Sequence, residues 1–273
     1  MPKQLVGLPP RHLEALSEGQ EHPMNEERNA ETPAEDLPPA KGRLQPPARM
    51  ADPNRSDDAL FDAMYPERIR LVSRRFWTPI AVAQRAAELL RSAGARRVLD
   101  VGAGVGKFVL AAARAAPELD FVGVEQRAHL VEVARRARRT LGIANAHFHV
   151  AEATAVSWRG FDAFYFFNPL AENLFDEEDR LDNRVELSHE RFARDVLRVE
   201  CTLRRAPLGT LVATYHGSSG RIPSCYEALA SESAGSDRLR LWRKYREKDD
   251  GSFFVEVGDS IVWHERGMGL GLA

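Results

Sequence analysis

The sequence predicts an α/β protein: a doubly wound, mostly parallel seven-stranded sheet with a closing antiparallel pair, preceded by N-terminal helices and a disordered tail. Three observations predict it. From residue 97 to about residue 217, apolar segments of strand length alternate with segments carrying a helical apolar stripe. The apolar segments 238–245 and 252–266 lack the helix spacing of a crossover and are expected to pair antiparallel. The first fifty residues hold more than half of the 16 prolines, interleaved with Glu26, Glu27, Glu31, Glu35 and Asp36. Such a stretch buries too little apolar surface to offset its ordering entropy.

In chain order, the reading divides the molecule into a tail over 1–56, a helical cap over 57–96 and a core over 97–273. Within the tail only a short helix near 11–16 is expected. Leu60, Phe61, Met64, Ile69 and Val72 recur at helical spacings and open the cap. Thr78 and Pro79 are expected as N-cap and first residue of the next helix, whose face is Ile80, Ala83, Ala87 and Leu90 and whose stop is Gly94. The core then reads as a strand at 98–101, a helix over 105–116, a strand at 121–125 and a helix over 128–141. Strands at 147–151 and 161–167, a long helix over about 187–204 and a strand at 210–216 complete the alternation, and a helix over 225–231 is expected before the closing pair.

Bulk composition narrows the classes. With 44% hydrophobic and 29% charged residues in 273, the chain can bury a sizeable core without metals or crosslinks. A net charge of -2 supplies no overall basic field and argues against nucleic acid as a partner. The two cysteines, Cys201 and Cys225, form no metal-ligand spacing, so no metal is expected. No apolar run suits a signal or a membrane span, which points to a cytoplasmic protein without membrane contact. The oligomeric state is not legible.

Chemistry concentrates in VLDVGAGVGKF, residues 98–108, where an apolar strand runs into Gly102, Gly104 and Gly106 and then a helix. Glycines let the backbone turn tightly beneath a ligand, and a helix amino terminus offers free N–H groups. A dinucleotide GxGxxG fingerprint would need its third glycine one residue later than Gly106, and a phosphate-binding P-loop would need Gly in place of Val101 and Ser or Thr in place of Phe108. About 20 residues on, Glu125 ends the second strand, where an acid can accept both ribose hydroxyls of an adenosine-containing cofactor.

The pattern D-x-G-x-G-x-G from Asp100 resembles the first motif of the class I, Rossmann-like S-adenosylmethionine-dependent methyltransferase family, over roughly residues 97–217. The resemblance implies S-adenosyl-L-methionine as cofactor. Gly102, Ala103 and Gly104 would line its methionine part with Gly106 closing the loop, and Asp100 would anchor the loop or face the ammonium. Glu125 would hold the ribose, and Glu152 and Ala153, at the family's third-strand segment, would meet the adenine. Asn168 and Pro169 stand where the family faces the transferring methyl group, although Leu170 and Ala171 depart from its NPPY form. His216 ends the fifth strand and would serve as general base toward a hydroxyl acceptor.

The acceptor itself is left open between a small molecule and a protein, and between nitrogen and oxygen. Two rival readings stand beside this one: a nicotinamide-dependent oxidoreductase on the same kind of sheet, and a non-catalytic scaffold for a protein partner. The arginines at 135, 136, 138 and 139 face away from Leu130 and Ala137 and read as a solvated helix surface. The acidic run 176–182 reads as an exposed loop or the edge of a lid.

Overall fold

The computed structural model describes residues 57–264. The expected tail over 1–56, with its helix near 11–16, lies outside the described residues. Three short helices, α1 (Asp57–Asp62), α2 (Glu67–Leu71) and α3 (Ser73–Phe76), lead into α4 (Ile80–Ser92). The amino end of α4 differs from expectation. Pro79 is the N-cap residue and Thr78 makes no cap: its hydroxyl meets the Tyr165 hydroxyl at 2.9 Å, while Asp58 of α1 accepts the Ile80 N–H at 3.0 Å. A tertiary carboxylate thus does the work assigned to a local hydroxyl.

Next come β1 (Arg97–Val101), α5 (Lys107–Ala115), β2 (Asp120–Glu125), α6 (Ala128–Leu141), β3 (Ala146–Val150), β4 (Ala163–Phe167), α7 (His189–Arg205) and β5 (Leu211–Tyr215). Ser188 caps α7 by accepting the Arg191 N–H at 3.1 Å. After β5 follow β6 (Arg221–Pro223), β7 (Tyr226–Ala234), β8 (Asp237–Lys244), β9 (Phe253–Val257) and β10 (Ser260–His264).

Seven strands form one sheet in the order β3-β2-β1-β4-β5-β8-β7, parallel through β5 and closed by antiparallel β8 and β7. Two expectations are corrected here. The helix foreseen over 225–231 is β7, because the hairpin ladder with β8 outweighs the helical propensity of its Ala, Glu and Leu residues. The closing pair is therefore β7 with β8, and the segment 252–266 stands apart: β9 and β10 join β6 in a separate three-stranded sheet, order β10-β9-β6.

Alternate side chains of each central strand enter two cores, as the period of two requires. Val98, Ala163, Tyr165, Leu211 and Ala213 pack beneath α4, α5 and α6, with Phe108 of α5 stacked on Tyr165 at 3.5 Å between ring centroids. Leu99, Val101, Phe164, Phe166 and Val212 pack on the other face with Val199 and Leu203 of α7 and Trp242 of β8. With helices on both faces, the carboxyl ends of β1 and its neighbours β2 and β4 are left to border a crevice at the point where the chain reverses its progress across the sheet.

Candidate active site

At that crevice β1 releases the chain into Gly102, Gly104 and Gly106, all at positive φ (82°, 54° and 74°), a backbone that side chains beyond Gly rarely adopt. The Gly102 and Ala103 N–H groups both donate to the Val124 carbonyl at 3.0 Å, fastening the loop to the end of β2. Glu125 completes the fastening. Its carboxylate accepts the Gly104 N–H at 3.2 Å and the Arg127 N–H at 2.8 Å, tying the loop to the start of α6.

A cavity of about 300 Å³ opens above this loop. Of the residues the sequence singled out, Gly102, Gly104, Glu125, Glu152, Ala153, Asn168, Pro169 and His216 line it. Asp100, Ala103 and Gly106 do not. The Asp100 side chain is buried in β1 beneath the loop, where burial and then the charge of Glu125 push its carboxyl well above the usual carboxylate range. Ala103 packs over Gly123, and a Cβ on Gly106 would lie 2.4 Å from the Phe148 ring, so that glycine serves close packing at the start of α5. Burial also pushes the Glu125 carboxyl up, against the pull of the Arg127 and Gly104 N–H groups.

Glu152 is ion-paired, its carboxylate 3.0 Å from Arg191 and 3.3 Å from Arg194 of α7. Asn168 holds a positive φ of 42° and accepts the Ser219 hydroxyl at 2.7 Å, while its own N–H donates to the Gly217 carbonyl at 3.0 Å. The β4 and β5 ends are thereby locked together. His216, also at positive φ (56°), sets Nδ1 at 2.9 Å from Asp237 and Nε2 at 3.1 Å from the Ser236 hydroxyl.

Sequence reasoning missed the parts that close the cleft. Arg127, with its side chain nearly buried, grips Glu172 through two bonds of 2.8 and 3.0 Å and Asp182 through one of 2.9 Å. The acidic run is exposed over 176–179, as expected, and together with the Arg75–Asp179 pair at 2.6 Å these bonds strap 170–182 beside the cavity. The partners lie 45 and 55 residues beyond Arg127, so no local spacing signals them. Trp77 is both core and lining, its indole N–H bonded to the Ile69 carbonyl at 3.3 Å and its ring lying where a Gly104 Cβ would fall, 2.2 Å away.

Residues 93–199 match the protein family described as a methyltransferase domain. The match covers less than half of the chain, and the segment lies within the doubly wound, Rossmann-like sheet described above. A tRNA (guanine-N(7)-)-methyltransferase of Synechococcus sp. (strain JA-3-3Ab) is 48% identical over 50 residues, 18% of this chain and 21% of that protein. The chain thus spans about a fifth of the length of that relative. Similar solved structures include an RNA methyltransferase from Salinibacter ruber in complex with S-adenosyl-L-homocysteine, at 18% identity over 63% of this chain and 96% of that one, TM-score 0.45. A methyltransferase from Geobacter sulfurreducens is 15% identical over 69% of this chain and 94% of that one, TM-score 0.46.

The cofactor of such a methyltransferase domain is S-adenosyl-L-methionine, and the cavity fits it. A floor of glycines leaves space where a Cβ would intrude: at Gly102 it would stand 3.1 Å from Pro169. Beside the floor, Glu125 offers a buried carboxylate with acceptor capacity beyond its two backbone bonds. Among the described residues, no cluster of three or more His, Cys, Asp or Glu could hold a metal ion, and no helix is long and apolar enough to cross a membrane.

Proposed function

We propose that this protein transfers the methyl group of S-adenosyl-L-methionine to a nitrogen or oxygen atom of a small-molecule or protein acceptor. The observation that carries the reading is the Glu125 carboxylate, bonded across the glycine loop and facing the same cavity as Asn168, Pro169 and His216. In this reading Gly102, Ala103 and Gly104 cradle the methionine part, Gly106 starts the helix behind it, and Asp100 anchors the loop from below. Glu125 takes the ribose hydroxyls, and Glu152 with the Ala153 N–H meets the adenine. The bound donor supplies an electrophilic sulfonium methyl group. The chain aligns the acceptor in line with it and keeps water out. Asn168 and Pro169 border the transfer point, and His216 stands ready for an acceptor that must lose a proton. The helices over 57–96 act as a cap on a core that begins at 97, and the free cysteines Cys201 and Cys225 suit a reducing cytoplasm.

Titration calorimetry with S-adenosylmethionine and with NAD tests the reading, together with mass spectrometry of nucleosides that co-purify. Binding of NAD alone favours the oxidoreductase, and binding of neither favours the scaffold. A nucleic-acid acceptor is a second reading, favoured by the 48% identity over 50 residues to an enzyme named for tRNA guanine N7. Tritiated methyl transfer into bulk tRNA, but not into protein or small-molecule fractions, would select it.

A further inference from the structure

At its far end the cavity is bordered by His216 and Ser236, with Asp237 behind them, and the methyl-transfer reading gives a role to His216 alone. His216 Nδ1 lies 2.9 Å from an Asp237 carboxylate oxygen, and Nε2 lies 3.1 Å from the Ser236 hydroxyl. The chain builds this arrangement from two separate places: the end of β5, where His216 sits at positive φ, and the tight β7–β8 turn, where Gly235 at φ 61° lets the backbone double back. The Tyr215 hydroxyl holds the turn in place, 3.2 Å from Ser236 Oγ and 3.3 Å from its N–H. Around the imidazole stand Asp237 from β8, the Tyr215 ring from β5 and the Phe167 ring from β4, at 4.5 and 5.3 Å between centroids for the two rings.

An ionised carboxylate only accepts, so it fixes the proton of the neutral ring on Nδ1 and leaves the Nε2 lone pair directed at a hydroxyl. Both His216 and Ser236 line the cavity that Gly102, Glu125 and Asn168 also line.

We propose that the acceptor is a hydroxyl compound, that His216 takes its proton, that Asp237 is the positioning residue for that step, and that the Ser236 hydroxyl marks where the acceptor oxygen sits. This rests on the methyl-transfer reading. An oxygen lone pair forms the O–CH₃ bond as the S–CH₃ bond breaks, and the electron pair of that bond stays on sulfur, leaving a neutral thioether. The hydroxyl proton passes to Nε2, and the imidazolium later yields it to water. An acceptor nitrogen with a free lone pair and no proton to lose, such as guanine N7, would have no use for this pair. The walls suit an apolar ring behind the hydroxyl, because Phe76, Trp77, Phe167 and Phe175 line the same cavity.

The test uses the full chain, first shown by calorimetry to bind S-adenosylmethionine, and tritiated methyl transfer to catechol and 4-nitrophenol beside a panel of primary amines and bulk tRNA. Methylation of the phenols is expected. His216→Gln should lower kcat on them at least 100-fold while donor affinity stays within threefold, and Asp237→Asn should lower kcat at least tenfold at unchanged KM. Imidazole ¹⁵N spectra give a readout independent of turnover: His216 should be the Nδ1–H tautomer in the wild type and a tautomer mixture in Asp237→Asn. Phenol methylation undiminished in His216→Gln overturns the proposal. So do an Nε2–H tautomer in the wild type and a donor-binding protein that methylates amines or tRNA, or nothing in the panel. A chain that binds no donor instead sinks the methyl-transfer reading itself.

Discussion

Gly104 carries two burdens at once, a positive φ and the indole of Trp77 lying on its Cα. Gly104→Ala should therefore strain the loop and displace Trp77, and Gly104→Arg should fill the cavity and abolish donor binding by calorimetry. Glu125→Ala should weaken binding by about 1–3 kcal/mol, the cost of leaving ribose hydroxyls unpaired. Since the Glu125 carboxyl is pushed up, donor affinity should fall at milder acidity than an ordinary glutamate would dictate, with proton release on binding in that window. Asp100 gives the opposite balance of stability and function. Its carboxyl is also raised, so the folded chain holds a proton that the unfolded chain has shed, and stability falls as pH rises from the ordinary Asp value through the folded one. Asp100→Asn should accordingly raise Tm at pH 7 by roughly 2–4 °C, the shift of a 1 kcal/mol gain in a domain of this size, and do so less at pH 4. At this scale Gly102, Gly104 and Glu125 were legible because a motif requires their residue types at fixed spacing. Asp237 and Ser236 were not, because they meet His216 only through the fold.

Between elements, two connections are buried charges that left little trace in the sequence. Lys107, which follows the glycines and looks like part of a phosphate motif, points away from the cavity. Its ammonium lies 2.7 Å from Asp58, 2.9 Å from Asp62 and 3.1 Å from the Ser73 hydroxyl, pinning α1 and α3 to the start of α5. Lys107→Met should cost on the order of 3–5 kcal/mol in denaturant unfolding, because Asp62 remains buried without its cation. Arg127 does the same for the strap beside the cavity. In Arg127→Ala, Glu172 and Asp182 lose that anchor, and limited proteolysis should cut within 172–188 many times faster than in the wild type. Where an element is set by its own periodicity, as α6 is, the expected and observed bounds coincide at 128–141. Where it is set by a partner strand, as β7 is, local propensity pointed to the wrong state.

Across the whole molecule the cavity draws on widely separated stretches of chain, from Arg74 to Ser236, although the parallel core supplies most of its wall. A ligand held by all of them stabilises the folded state as a unit. S-adenosylmethionine at one hundred times its Kd should add about 2.7 kcal/mol, and so raise Tm by roughly 5–11 °C. Two variants separate binding from general robustness. Glu125→Ala should leave a shift of only a few degrees at the same donor concentration. Lys244→Met acts away from the cavity, at the end of β8, where the buried ammonium donates to the Arg204 and Ala206 carbonyls at 2.7 and 2.6 Å and so satisfies the end of α7. Removing it should lower the melting temperature of the free protein and leave the donor-induced shift at its wild-type size. Equal loss of the shift in both variants would mean that donor stabilisation reflects overall foldedness rather than contacts at the glycine loop, and the assignment of Glu125 to the ribose would fail with it.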